Sequence, residues 1–103
     1  MVTRSSETYE GSITIDEDLM DAAGLLPYER VEVNNFNGHR DATYVLPGER
    51  GSGVIGINGA LSSRHKVGDV VHVLAYHVTD YWNKPIIVNT DEKNRITPGP
   101  GPY

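Results

Sequence analysis

Cysteine is absent from the 103-residue sequence, which excludes disulfide stapling, thiolate catalysis and cysteine-ligated zinc. Basic residues are sparse: nine Lys and Arg against fourteen Asp and Glu give a formal net charge of -5. They are scattered along the chain, so no nucleic-acid partner is expected, because such binding concentrates cations to release phosphate counterions. No apolar run approaches a membrane span, and residues 1–11 are polar rather than signal-like. The expectation is a cytoplasmic protein without a membrane partner. The length bounds one small domain with a modest core, for which self-association would add buried surface.

Residues 14–25 read as one short helix: Asp16 is placed to cap it, acids fill its first turn, and Gly24 stops it. Leu19, Ala22, Ala23 and Leu26 share its apolar face. Strand patterns occupy 30–34, 42–46, 53–57, 70–76 and 85–88, separated by Asn37-Gly38, Pro47-Gly48, Asn58-Gly59 and Gly68-Asp69. Short strands at this spacing predict a mainly β fold, a small closed barrel rather than a βαβ sheet. Residues 62–66 form either one helical turn or a loop. The Pro- and Gly-rich tail, 97–103, is expected outside any ladder, leaving 1–96 as the domain.

No metal site is expected. His72 and His77 are five apart in a strand pattern and face opposite ways, while His39 and His65 fall in turns as solvated or half-buried residues. Asp16, Glu17, Asp18 and Asp21 cluster where a helix N-terminus favours acids without catalytic duty.

Gly11-Ser12, just before a strand pattern, is the pair that carries chemistry. A glycine here permits backbone conformations that expose the peptide carbonyl to the serine hydroxyl. Alone, such a pair is most often an ordinary turn. Its context is more specific: YEGSITIDEDLMDAAGLL, NGHRDATYV, ERGSGVIGINGA and KVGDVV follow in order. From Val2 to about Leu74 the chain resembles the aspartate α-decarboxylase family, and a weaker likeness continues through Tyr81-Trp82-Asn83-Lys84-Pro85 to Arg95.

That resemblance implies a small double-psi β-barrel with one or two short helices, and a pyruvoyl cofactor made from the chain itself. Ser12 would attack the Gly11 carbonyl, an ester would replace the amide, and elimination followed by hydrolysis would leave a pyruvoyl group at residue 12. That carbonyl condenses with a substrate amine, and the imine accepts the electrons released when CO2 leaves L-aspartate to give β-alanine.

The resemblance assigns Thr43 to the Gly11 carbonyl, Tyr44 to proton return, Arg40 to a substrate carboxylate, and Asn58, Gly59 and Ala60 to the pocket lining. Without it, these read as a β-branched strand residue, a core tyrosine, a solvated arginine and an Asn-Gly turn. It also implies a homotetramer. The family has a further strand upstream of the position matched by Val2, which carries a substrate-binding lysine; Arg4 lies beyond that position and receives no role. A barrel without that strand would present an unpaired edge. A divergent relative that binds a small molecule, or performs another reaction in the same pocket, is the alternative reading.

Overall fold

A computed structural model describes residues 1–7 and 10–98; Tyr9, the first residue of the YEGS motif, and 99–103 of the predicted tail lie outside the described residues. Along the chain run β1 (Arg4–Ser6), β2 (Ser12–Asp16), α1 (Glu17–Ala23), β3 (Arg30–Asn35), β4 (Arg40–Gly48), β5 (Ile55–Asn58), a 3-10 turn (Gly59–Ser63), β6 (Val71–Leu74), β7 (Asn89–Thr90) and β8 (Ile96–Thr97). The first six strands form one sheet in the order β1-β5-β2-β4-β3-β6, and β7 with β8 makes a separate ribbon.

β2 lies between a parallel neighbour, β4, and an antiparallel one, β5, and β1 runs parallel to β5. This mixed sheet with one helix is consistent with the expected mainly β, double-psi β-barrel-like fold. Ile13 and Ile15 of β2 meet Val45 on one side and Ile57 and Ile55 on the other, and with Val2, Leu19, Met20, Val31 and Val33 they form the buried core. Each such aliphatic side chain contributes about 1.5–3 kcal/mol on burial.

Several local expectations change under these tertiary contacts. The helix begins at Glu17 rather than at residue 14, because alternation drives Ile13 and Ile15 into the core and keeps Thr14 extended. Its buried residues are Leu19 and Met20; Ala22 is exposed and Leu26 is 68% exposed. Pro47-Gly48 ends β4 instead of forming a turn, and Gly48 is pressed so closely against Thr14 and Val54 that a Cβ would not fit.

Residues 85–88 form no strand, and Ile86 and Ile87 stand exposed; the ladder is made by β7 and β8 instead. It therefore reaches Thr97, one residue into the predicted tail. Residues 59–63, slightly before the ambiguous 62–66 segment, form the 3-10 turn.

Asp16 caps α1 as expected and also holds the turn after β4. Its carboxylate accepts from the N–H of Asp18 at 2.8 Å, Gly51 at 3.2 Å and Gly53 at 2.8 Å while only 4% exposed. Arg50 in the same turn reaches Glu17, Asp18 and Asp21, so the acids clasp a cation as well as lining a helix start. Burial of Asp16 opposes its ionisation, but the N–H groups of Gly53, Asp18 and Gly51, with the charge of Arg50, outweigh it and leave the pKa below 3.8.

With a lowered folded pKa, this contribution is complete above the unfolded carboxylate's range and fades as pH falls through the folded value. Asp16→Ala should lower the unfolding free energy by about 2–4 kcal/mol in urea titrations at neutral pH, through a lost cap and orphaned loop N–H groups. The gap from the unmodified chain should narrow below about pH 4.

Candidate active site

Ser12 opens β2 at 2% exposure and pairs across the sheet with Asn58, the last residue of β5. That register sets their side chains on one face, where the Asn58 Nδ2 group donates to Ser12 Oγ at 2.9 Å and to Thr14 Oγ1 at 3.1 Å. Each amide hydrogen is thus committed to one hydroxyl. Gly59 follows in the left-handed region, φ 79°, which any other residue would enter only at a cost; it turns the chain out of β5 directly after Asn58.

Tyr44 and Leu46 on β4 share the face of Ser12 and Thr14, because successive even positions of a strand point the same way and Thr14 pairs with Leu46. Together with Arg4 and Glu10 these residues line a pocket of about 500 Å³. The Tyr44 ring is backed by Tyr28, 6.3 Å away between centroids. Tyr28 holds a positive φ of 67°, and its N–H donates to the carbonyl of Val45 at 2.7 Å.

Of the residues anticipated from sequence, Ser12, Tyr44 and Asn58 are brought together here. Thr43 is consecutive with Tyr44, so it leaves the opposite face, sharing its parity with the buried Val45. Arg40 is exposed at the start of β4, roughly 13 Å of strand from Tyr44, and does not line the pocket within one chain. Gly11 is half-buried beside Ser12, Gly59 is buried behind Asn58, and Ala60 is exposed; none of the three is a lining residue.

Sequence reasoning missed Thr14, Leu46, Arg4 and Glu10. The first two were discoverable from the two-residue strand period beginning at Ser12 and Tyr44. Arg4 depends on the β1–β5 register.

A buried network supports the Asn58 end of the pocket. His65, expected in a solvated or half-buried turn, is fully buried, because its ring is held by two partners beneath the 3-10 turn. Asn35 Oδ1 accepts from the N–H groups of Asn37 and His39, so its Nδ2 must face His65 Nδ1, 3.2 Å away. That fixes the hydrogen of the ring on Nε2, aimed at Asp41 Oδ2 at 2.7 Å. Ser5 Oγ donates to the carbonyls of His65 and Ser62, which ties β1 to the same unit.

Partial desolvation of Asp41 opposes its ionisation, but hydrogen bonds from His65 and Arg64 outweigh it and hold the carboxyl below its usual range. Asp41→Ala, which orphans a buried imidazole N–H, should cost about 2–4 kcal/mol in equilibrium unfolding. Asp41→Asn, which retains an acceptor, should cost distinctly less.

Among the described residues no group of three or more His, Cys, Asp or Glu is placed to hold a metal ion. The pocket instead joins a buried serine, an amide donor and a phenol. Residues 1–97 match the family model described as aspartate decarboxylase. The chain is 50% identical over 100 residues to an aspartate 1-decarboxylase of Listeria welshimeri, covering 92% of this chain and 79% of that protein. It is 46% identical over 100 residues to the aspartate 1-decarboxylase of Geobacillus sp. strain WCH70, with the same coverage. The aspartate 1-decarboxylase of Pelotomaculum thermopropionicum is 48% identical over 100 residues, covering 92% of this chain and 76% of that one. With a family match across nearly its whole length and relatives at this level of identity, the chain belongs to the aspartate decarboxylase family.

Proposed function

We propose that this chain cleaves itself between Gly11 and Ser12 and then, as a cytoplasmic homotetramer, decarboxylates L-aspartate to β-alanine. The observation that carries the reading is the Ser12 hydroxyl: it follows a glycine, is buried, accepts from Asn58, and opens on a pocket that Tyr44 also lines. The names of the relatives supply the reaction class.

Maturation uses groups already in place. Ser12 Oγ bonds to the Gly11 carbonyl carbon, its proton passes to the Ser12 nitrogen, the Gly11–Ser12 amide bond breaks, and an ester with a free Ser12 amine forms. Loss of the Ser12 α-proton expels the Gly11 carboxylate with the ester oxygen, and water converts the remaining dehydroalanine to a ketone with release of ammonia. Asn58, a fixed amide donor in a water-poor corner, favours charge developing on oxygen beside Ser12. Thr43 is assigned to the Gly11 carbonyl by resemblance alone.

The residues fit such a group: Ser12 sits where a ketone at its position would face the pocket, flanked by the hydroxyl of Thr14 and the phenol of Tyr44. The pyruvoyl group would supply an electron-withdrawing carbonyl for the substrate amine. Tyr44 holds a proton at the edge of that space and delivers it to the carbon that loses CO2. Leu46 keeps the surroundings apolar.

Arg40, Gly59 and Ala60 are assigned to substrate contacts by resemblance, and Arg40 would reach a pocket only from a neighbouring copy. The exposed apolar side chains of Tyr76, Val78, Tyr81, Trp82, Ile86 and Ile87 supply a surface that assembly would cover.

Denaturing mass spectrometry should find two fragments, 1–11 and 12–103, the second beginning in a pyruvoyl group, and a single intact chain for Ser12→Ala. A chain that stays whole after prolonged warming would refute self-processing. Asn58→Ala should slow cleavage by about 10²–10³-fold in a time course of fragment appearance. Tyr44→Phe should still cleave but evolve CO2 from aspartate about 10²–10⁴ times more slowly.

A further inference from the structure

Arg4 projects from the sheet edge into the same pocket as Ser12 and Tyr44, and two features of its seat stand out. Its strand partner across β5 is Gly56, and a Cβ built at Gly56 would lie 2.8 Å from Arg4 Nη2, 3.1 Å from Nε and 3.2 Å from Cζ. The guanidinium therefore lies across bare backbone in the middle of the sheet, toward Thr14, the partner of Gly56 on its other side. The bare glycine is what lets the cation lie there. Moreover, no carboxylate pairs with Arg4 among the described residues, and no hydrogen bond occupies its donors there, whereas Arg50, Arg64 and Arg95 each hold an acid.

An unpaired planar fork lining a pocket from its solvent-exposed edge suits a ligand carboxylate, which it binds through two parallel N–H donors. The other charged lining residue, Glu10, repels a carboxylate and so polarises the pocket toward Arg4. A cation gripping the carboxylate that departs as CO2 would stabilise the ground state, in which that charge is localised, over the transition state, in which it disperses. The grip is therefore productive on the carboxylate that the product retains.

We infer that Arg4, seated on Gly56, is the specificity-determining cation for the retained carboxylate of an acidic amino-acid substrate. This rests on the decarboxylase reading for the reaction, although the carboxylate site itself does not.

The test compares the unmodified protein with Arg4→Gln, Arg4→Lys and Gly56→Ala, measuring chain cleavage by mass, decarboxylation kinetics, and calorimetric binding of succinate as a dicarboxylate probe. Gly56→Ala leaves the charge but displaces it, since the atoms nearest the new methyl all belong to the flexible Arg4 side chain. In cleaved Arg4→Gln, KM for aspartate should rise tenfold or more with a smaller change in kcat, and the preference in kcat/KM for aspartate over asparagine should fall by a similar factor. Gly56→Ala should shift in the same direction, and Arg4→Lys should recover part of the loss. Succinate affinity should follow the same order.

Unchanged KM, unchanged aspartate preference and unchanged succinate affinity in Arg4→Gln would overturn the assignment. If the unmodified chain neither cleaves nor releases CO2 yet binds succinate through Arg4, the carboxylate site stands and the decarboxylase reading falls.

Discussion

The two-residue period of β2 is the constraint on which the molecule depends. Ile13 and Ile15 must be sealed among Val45, Ile55 and Ile57, and sealing them turns Ser12, Thr14 and Asp16 to the opposite face. A one-residue slip would bury the serine hydroxyl in hydrocarbon and expose two isoleucines. The energy that makes this register unique comes from the core, while its functional result appears on the other side of the strand. Asp16, at the end of the same face, then caps the helix and gathers the turn after β4, so one strand sets the helix start, the turn and the position of Ser12.

Asn58 is held by a second, polar constraint. The chain leaves β5 through Gly59 into a 3-10 turn that ends against His65, and His65 is locked between Asn35 and Asp41 on the β3–β4 hairpin. Both ring nitrogens of the buried His65 have a partner, and its carbonyl accepts from Ser5, so the turn is braced without adding apolar mass to a small core. Its rigidity is passed to Asn58 at one end and, through Ser5, to β1 and Arg4 at the other. The pocket is therefore framed by a hydrocarbon core below and a hydrogen-bonded clasp beside it.

Much of this was legible in the residues. The cap at Asp16, the stop at Gly24, the strand runs at 30–34 and 42–46, and the Gly11-Ser12 pair all depend on neighbours in sequence, and local chemistry decides them. Thr14 and Ile15, ahead of that cap, satisfy a helical pattern as well as an extended one, and only contacts with β4 and β5 choose between them. The full burial of His65 is hidden for a similar reason: a histidine among polar turn residues reads as solvated or half-buried until an asparagine and an aspartate from thirty and twenty-four positions upstream close over it.

By itself the sequence determined the fold class, the family and the Gly11-Ser12 pair, because period, turn residues and a motif of adjacent positions are properties of a single dimension. Tertiary structure alone decided which side chains share the pocket. Whether Arg4 lies over Gly56, or Tyr44 rather than Thr43 faces the serine, is set by strand order and register, in which residues about fifty positions apart become neighbours at about 5 Å. No local propensity encodes that choice; the burial of the isoleucines and valines on the far face does.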